Sequence, residues 1–196
     1  MENLLFLILA AFPLMGSPGP VTMSLAGLGS AFGFRLSLGY LCGVMVGTTA
    51  VLLMIATGIT VLLLAQPALL AALIVLAGAY ILYLAWKIAT APVARAVKAT
   101  QRPPAFAPGF ALAIANPKAF AAIGAVYSGH TVFAGDLTLD MAVKLAALTG
   151  VIVISQSAWL AFGAGFSNVL THPKIGRAAN ITFAVMLLAS VGLTLL

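Results

Sequence analysis

The sequence predicts an all-α membrane protein of about six transmembrane helices, arranged as two inverted three-helix halves in which helices 1 and 4 are broken. Three observations lead to this prediction. The composition is too apolar for a surface in water, the apolar stretches are long enough to cross a bilayer, and the basic residues alternate between loops. A chain of 196 residues has room for six spans of roughly 20 residues, so we expect residues 1–196 to form a single transmembrane domain.

The composition excludes an ordinary soluble domain. The chain is 63% hydrophobic and 6% charged, with a mean hydropathy of +1.20. Soluble domains carry roughly a quarter charged residues. Here 9 basic and 3 acidic side chains cannot cover a globule of this length. Lipid must therefore be the solvent for much of the surface.

The predicted spans follow one another with short connections. The first resembles a signal peptide, but its only early charge is Glu2 and the apolar run continues past the prolines, so we expect it to remain as an uncleaved span. The predicted ranges are 4–29 for helix 1, interrupted at 17–20, then 36–65, 68–88, 108–127, 141–165 and 178–196.

Basic residues indicate the orientation. They are concentrated after helix 1, between helices 3 and 4 and between helices 5 and 6, and positive charge favours the cytoplasmic side. We therefore expect both termini outside and a cytoplasmic linker over 89–107, which separates a first half, 1–88, from a second, 108–196. Three spans per half make the halves face opposite ways, as in the inverted repeats of many transporters. The residues concerned are Arg35, Lys87, Arg95, Lys98, Arg102, Lys174 and Arg177.

Prolines interrupt helices 1 and 4 at matching places. Ser17-Pro18-Gly19-Pro20 and Asn116-Pro117-Lys118 both lie far enough into their spans to reach the middle of the bilayer, roughly 14–21 Å deep. Paired discontinuous helices are the best sequence indication of a transport site. The alternative is that the prolines only kink two packed helices.

The residue types at these breaks indicate anion binding. Ser and Asn are good N-caps and Pro suits the first helical position, so Ser17-Pro18 and Asn116-Pro117 each predict the start of a half-helix. Two helix starts meeting at mid-membrane present N–H groups to a carboxylate. Lys118 adds a positive charge, unless its side chain snorkels to the cytoplasmic surface.

Polar residues also occur in the middle of helices 2 and 5. Thr48 and Thr49 lie at about the same depth as Gln156, where they line a cavity or form interhelical hydrogen bonds. The preceding Gly39, Gly43 and Gly47 favour close helix packing.

Several functions are disfavoured. A net charge of +6 without a dense basic stripe predicts no nucleic-acid partner. The single Cys42 and the isolated His130 and His172 predict no disulfide, metal or other cofactor. No predicted span contains Asp or Glu, so a neutral zwitterion or an organic anion fits a central site better than a cation.

These features together resemble the LysE/RhtB family of bacterial amino-acid exporters. The resemblance rests on Pro18-Gly19-Pro20, the helix 2 glycines, GAYILYLAWK and FALAIANPKAF, and covers nearly the whole chain. It implies a multi-pass protein of the bacterial inner membrane, export driven by protons or by exchange, and a homodimer in lipid. Thr48 stands where many members carry an acidic residue, which disfavours a cationic substrate.

Two other functions remain open. A small intramembrane enzyme such as an acyltransferase needs a nucleophile and a base, and Ser128 and His130 are the neighbouring pair available. A non-transporting assembly or channel subunit is the second alternative, although paired helix breaks disfavour it. The sequence therefore favours a transporter without enzymatic activity, with substrate contacts from Ser17, Pro18, Gly19, Pro20, Thr48, Thr49, Asn116, Pro117, Lys118 and Gln156.

Overall fold

The computed structural model describes residues 2–59 and 104–166, with scattered helical positions between 75 and 90 and between 175 and 189. In these ranges the chain is helical and contains no strand. Predicted helices 3 and 6 lie largely outside the described residues. The described helices are α1 (Glu2–Gly16), α2 (Pro20–Phe32), α3 (Leu38–Ala56), α4 (Phe106–Ile114), α5 (Pro117–Gly129) and α6 (Leu137–Phe166).

Both predicted breaks are present as sharp bends. The axes of α1 and α2 differ by 65°, and those of α4 and α5 by 60°. Pro20 and Pro117 open α2 and α5, where a proline lacks the N–H that would continue the preceding helix. Asn116 is the N-cap of α5 as predicted, but the N-cap of α2 is Gly19 rather than Ser17. Two prolines in the sequence SPGP move the helix start to the second.

The remaining described helices cross without interruption. Ranges Leu38–Ala56 and Leu137–Gly165 are each long and apolar enough to span a bilayer, and each bent pair qualifies as a further span when taken together. By length and composition, the described part of the chain thus contains two to four candidate spans. One bent pair followed by one straight helix occurs twice along the described chain, first as α1–α3 and then as α4–α6.

The end of α3 and the start of α6 differ most from the predicted helix boundaries. α3 ends at Ala56 rather than at residue 65, because Gly58 adopts a left-handed φ of 75° and donates its N–H to the Ile55 carbonyl. α6 begins at Leu137 rather than at residue 141, because Asp136 accepts a hydrogen bond of 2.9 Å from the Leu139 N–H.

The longer α6 places an acidic residue inside a span, which corrects the expectation that the spans contain none. Asp140 is 5% exposed and lies 3.1 Å from Lys144 one turn along. Its other carboxylate oxygen accepts the N–H groups of Val132 and Phe133. The Lys144 ammonium also lies 4.2 Å from the centre of the Tyr127 ring. This carboxylate is therefore neutralised locally and holds the α5–α6 loop against the start of α6.

Glycines permit the closest helix contacts. A Cβ atom added at Gly43 or Gly47 would overlap the backbone of α4, and one at Gly163 would overlap the Ala26 carbonyl of α2. Gly39, by contrast, has nothing within 4 Å of such an atom. The predicted packing role of the helix 2 glycines is confirmed for the second and third of the series.

Buried apolar residues form two clusters, one on each side of the helix breaks. The α2–α4 cluster includes Leu25, Leu28, Val44, Leu112 and Leu160. The α1–α5 cluster includes Leu7, Ala11, Leu52, Ile123, Val126 and Leu148. Because α3 and α6 contribute to both, the middles of these two helices lie at the same level as the breaks.

Candidate functional site

A small, partly open cavity of about 40 Å³ lies where the two breaks meet the middles of α3 and α6. Both helix starts contribute to it, through Gly19 at α2 and Asn116 at α5. The wall is apolar toward the α1–α5 cluster and polar toward the breaks. The residues that line it are Leu14, Met15, Gly19, Val21, Thr22, Thr48, Asn116, Lys118, Ala119, Ala122, Ile123, Ile152, Ser155 and Gln156.

The first break exposes backbone carbonyl groups, and side chains from the second half of the chain bind them. Trp159 of α6 donates its indole N–H to the Gly16 carbonyl at 2.8 Å. The Lys118 ammonium of α5 donates to the carbonyl of Ser17 and, at 2.9 Å, to that of Pro18. Carbonyl groups at a helix end carry partial negative charge and attract a cation. The ammonium therefore links the two breaks.

Lys118 reaches these carbonyls because Gly19 has no side chain. A Cβ atom at Gly19 would lie 2.7 Å from Lys118 Cδ and 2.9 Å from Nζ. The half-buried lysine lines the cavity with its ammonium engaged at the first break. The sequence left open whether the Lys118 side chain faces a cavity or snorkels to the membrane surface. In the structure it faces the cavity.

Thr22 closes the first turn of α2. Its hydroxyl oxygen accepts the Gly19 N–H at 2.8 Å, and its hydroxyl group lies within hydrogen-bond distance of the Gly19 and Ser17 carbonyls. This contact is half of a capping box, with threonine at the third helical position. Sequence reasoning missed Thr22, although its spacing from the break, SPGPVT, carried the signal.

Gln156 and Thr48 join the middles of α6 and α3. Gln156 Nε2 donates to Thr48 Oγ1 at 2.9 Å, and that hydroxyl donates in turn to the Val44 carbonyl at 2.9 Å. Because the Thr48 hydroxyl donates its proton to Val44, its oxygen can only accept from Gln156. The Gln156 amide therefore has its nitrogen toward Thr48. Gln156 Oε1 is left without a hydrogen-bond partner among the described residues, in a side chain 5% exposed.

Asn116 provides a second buried amide oxygen of this kind. The residue is 6% exposed, lines the cavity and makes no side-chain capping bond to α5. Its Oδ1 also has no partner within the described part of the chain. Buried acceptors without partners are rare and costly, roughly 1–3 kcal/mol each. Two of them around one cavity indicate that the cavity accepts a hydrogen-bond donor.

All but one of the predicted site residues fall into two groups. Gly19, Thr48, Asn116, Lys118 and Gln156 line the cavity. Ser17, Pro18, Pro20 and Pro117 build the breaks behind it, and Ser17 Oγ is directed to the Leu14 carbonyl at 3.0 Å. Thr49 is half-buried and is not among the described lining residues.

The lining has an uneven charge. Lys118 is the one ionisable side chain among the described lining residues, and no carboxylate accompanies it. Asp140 pairs with Lys144 instead. The site therefore offers two helix starts and two amide oxygens to a ligand, beside one cation that is engaged by the carbonyls of the first break.

The fold and the cavity define a helical membrane protein with two broken spans that meet at a central polar site, the arrangement of secondary transporters. Comparison with known proteins gives the family. A model of the LysE type translocators matches residues 12–196. The chain belongs to the LysE type translocator family.

Curated relatives from three Salmonella sources carry the name cysteine/O-acetylserine efflux protein. Those of Salmonella paratyphi A, Salmonella typhi and Salmonella typhimurium are each 31% identical over 172 residues, which is 87% of this chain and 86% of theirs. No solved structure matches the chain.

Proposed function

We propose that this protein exports amino acids with neutral side chains across the bacterial inner membrane by alternating access. One observation carries the proposal: the cavity at the two helix breaks is lined by Asn116 and Gln156, whose amide oxygens lack partners among the described residues, and by no described carboxylate. The family membership and the efflux relatives support export of an amino acid.

A zwitterion matches this arrangement at both ends. The first-turn N–H groups of α2 and α5 suit its carboxylate, since a helix start carries partial positive charge. Its α-ammonium group suits the oxygen acceptors beside the breaks, which are the Ser17 and Pro18 carbonyls when Lys118 leaves them and the buried amide oxygens of Asn116 and Gln156. Both contacts depend on groups that all α-amino acids share.

The side chain of the substrate meets a different part of the wall. Small residues, Ala119, Ala122 and Ser155, line the cavity beside larger aliphatic ones. A lysine or arginine substrate would bring a second positive charge without a described carboxylate to receive it. These features, with the names of the efflux relatives, support small neutral amino acids such as cysteine and O-acetylserine as substrates.

The two apolar clusters suit alternating access. One lies on each side of the cavity, so opening either one in turn would connect the site to one face of the membrane. We include in this proposal the inverted repeat of two three-helix halves and a homodimer as the assembled form. Rocking of the bent pairs against α3 and α6 is the motion expected.

The intramembrane enzyme is the weaker proposal. Ser128 Oγ donates to the Gly124 carbonyl at 2.7 Å, and His130 Nδ1 lies 3.0 Å from the Val126 carbonyl. Both side chains therefore contact backbone carbonyls of α5. In an enzyme, the nucleophile and its base would bond to each other instead.

Efflux of a labelled amino-acid panel tests the proposed function. Cells with the protein should export cysteine and O-acetylserine faster than cells without it, and arginine and lysine no faster. Asn116→Leu should insert normally but abolish the export of cysteine and O-acetylserine, because it removes a cavity acceptor. The control Ser128→Ala should export both at the normal rate. Faster export of arginine than of any neutral amino acid would reject the proposal.

A further inference from the structure

The carbonyl groups of Ser17 and Pro18 form an ammonium site at the first break. The Lys118 ammonium occupies it, with bonds to both carbonyl oxygens, while the neighbouring Asn116 and Gln156 oxygens lack partners among the described residues. A substrate ammonium entering this cavity finds these two carbonyls already taken by another group of the same chemistry.

We infer that Lys118 is the proton carrier of the transport cycle, and that its ammonium and the substrate's α-ammonium occupy the Ser17 and Pro18 carbonyls in turn. This inference rests on the proposed function and adds how export is coupled to protons. Mutual exclusion of proton and substrate at one site is what antiport requires, since each must leave before the other binds.

No other described group near the cavity suits this role. Of the described helices packed against α5, α1 has only Glu2, at its far end, and α3 has Tyr40 and Cys42, with Tyr40 bonded to Ser24 at 3.0 Å. α6 contributes Asp140 and Lys144, which pair with each other at the loop end of the helix. Within α5 itself, Tyr127 lies beside Lys144.

The cycle balances in protons and charge. With the site open to the cytoplasm, the Lys118 ammonium releases one proton to water, and its neutral amine leaves the two carbonyls. The substrate's ammonium then binds them. With the site open to the outside, the substrate departs and Lys118 takes up one proton from the outer solution. One proton enters for each zwitterion exported, so one positive charge moves inward and a negative interior drives export.

Two substitutions of Lys118 separate coupling from binding. Lys118→Met leaves the carbonyls free for the substrate and removes the proton, so counterflow exchange should persist while a proton gradient no longer drives accumulation. Lys118→Arg keeps a permanent cation at the carbonyls, so exchange should fall at least about tenfold. Misfolding would abolish both activities in both variants, and a simple structural role would not give opposite effects.

The experiment uses the full chain in proteoliposomes with labelled, reduced L-cysteine. Wild type should show cysteine exchange and proton-driven cysteine transport. A membrane potential that is negative on the side from which cysteine leaves should stimulate the proton-driven transport. Thermal stabilisation by L-cysteine should appear for Lys118→Met and be lost for Lys118→Arg. Proton-driven accumulation by Lys118→Met would overturn the inference, as would wild-type exchange that ignores a proton gradient. Absence of wild-type exchange for every neutral amino acid would instead overturn the proposed function.

Discussion

The Gln156 amide donates a hydrogen bond of 2.9 Å to the Thr48 hydroxyl, across a separation of 108 residues. This contact joins the middles of α6 and α3, and it leaves Oε1 of the cavity-lining Gln156 without a partner among the described residues. Position 156 therefore determines which chemical group the central wall presents to a substrate.

Gln156→Glu should change substrate preference. The substitution adds a carboxylate to a cavity that has none among its described lining residues, and so favours a second positive charge on the substrate. We expect the ratio of arginine to cysteine export to rise by about tenfold or more, equivalent to roughly 1.4 kcal/mol. Gln156→Met, which removes the acceptor without adding charge, should lower cysteine export and leave arginine export unchanged. An unaltered ratio in Gln156→Glu would contradict this reading of the cavity.

Gly19→Ala should disturb the site and spare the fold. The backbone of Gly19 is extended, with φ of −173°, so alanine fits the conformation, but its Cβ would displace the flexible end of Lys118. We expect normal membrane abundance and roughly tenfold slower export. Gly39→Ala is the control, because nothing lies within 4 Å of its Cβ. Equal export by both variants would show that the lysine contact has no functional role.

Gly163→Val should destabilise the protein. The added side chain would overlap the Ala26 carbonyl, and overpacking typically costs roughly 1–3 kcal/mol. Thermal unfolding in detergent should shift downward. Gly165→Val, two residues along the same helix, has open space at its Cβ and should unfold at nearly the wild-type temperature. The reverse order of stabilities would refute the close approach of α2 to α6.

Asp140→Asn should also lower stability. The carboxylate binds Lys144 and the Val132 and Phe133 N–H groups, and hydrogen bonds to charged groups contribute roughly 1.5–3 kcal/mol. The exposed Asp136 is the comparison, since Asp136→Asn retains an N-cap for α6. Thermal unfolding measures both, and equal midpoints would mean that the buried pair contributes nothing.

Membrane orientation can be measured with reporter fusions. The alternation of basic loops predicts that a reporter inserted after Ala99 reads cytoplasmic and one inserted after Gly135, in the loop between α5 and α6, reads external. Two readings on the same side would invalidate the predicted orientation of α4–α5.

Some features were determined by the sequence alone because their causes are local. Proline removes a backbone N–H wherever it occurs, so the prolines beside Ser, Gly and Asn predicted new helix starts within both broken spans. Those starts lie at Pro20 and Pro117, although Pro13 is accommodated within α1. Apolar stretches of bilayer length likewise predicted the helices, and the equal depth of Thr48 and Gln156 anticipated a contact that the structure contains.

Tertiary structure decided the features that depend on partners distant in the chain. The sequence suggested Lys118 as an attractor for a substrate carboxylate, whereas the structure directs its ammonium to the Ser17 and Pro18 carbonyls, about one hundred residues away. Likewise, burial of Asp140 depends on the loop folding back over it. The sequence determines the charge of a side chain, but the packing of the helices determines which acceptors lie within its reach. A long flexible side chain then bonds to the nearest unsatisfied group.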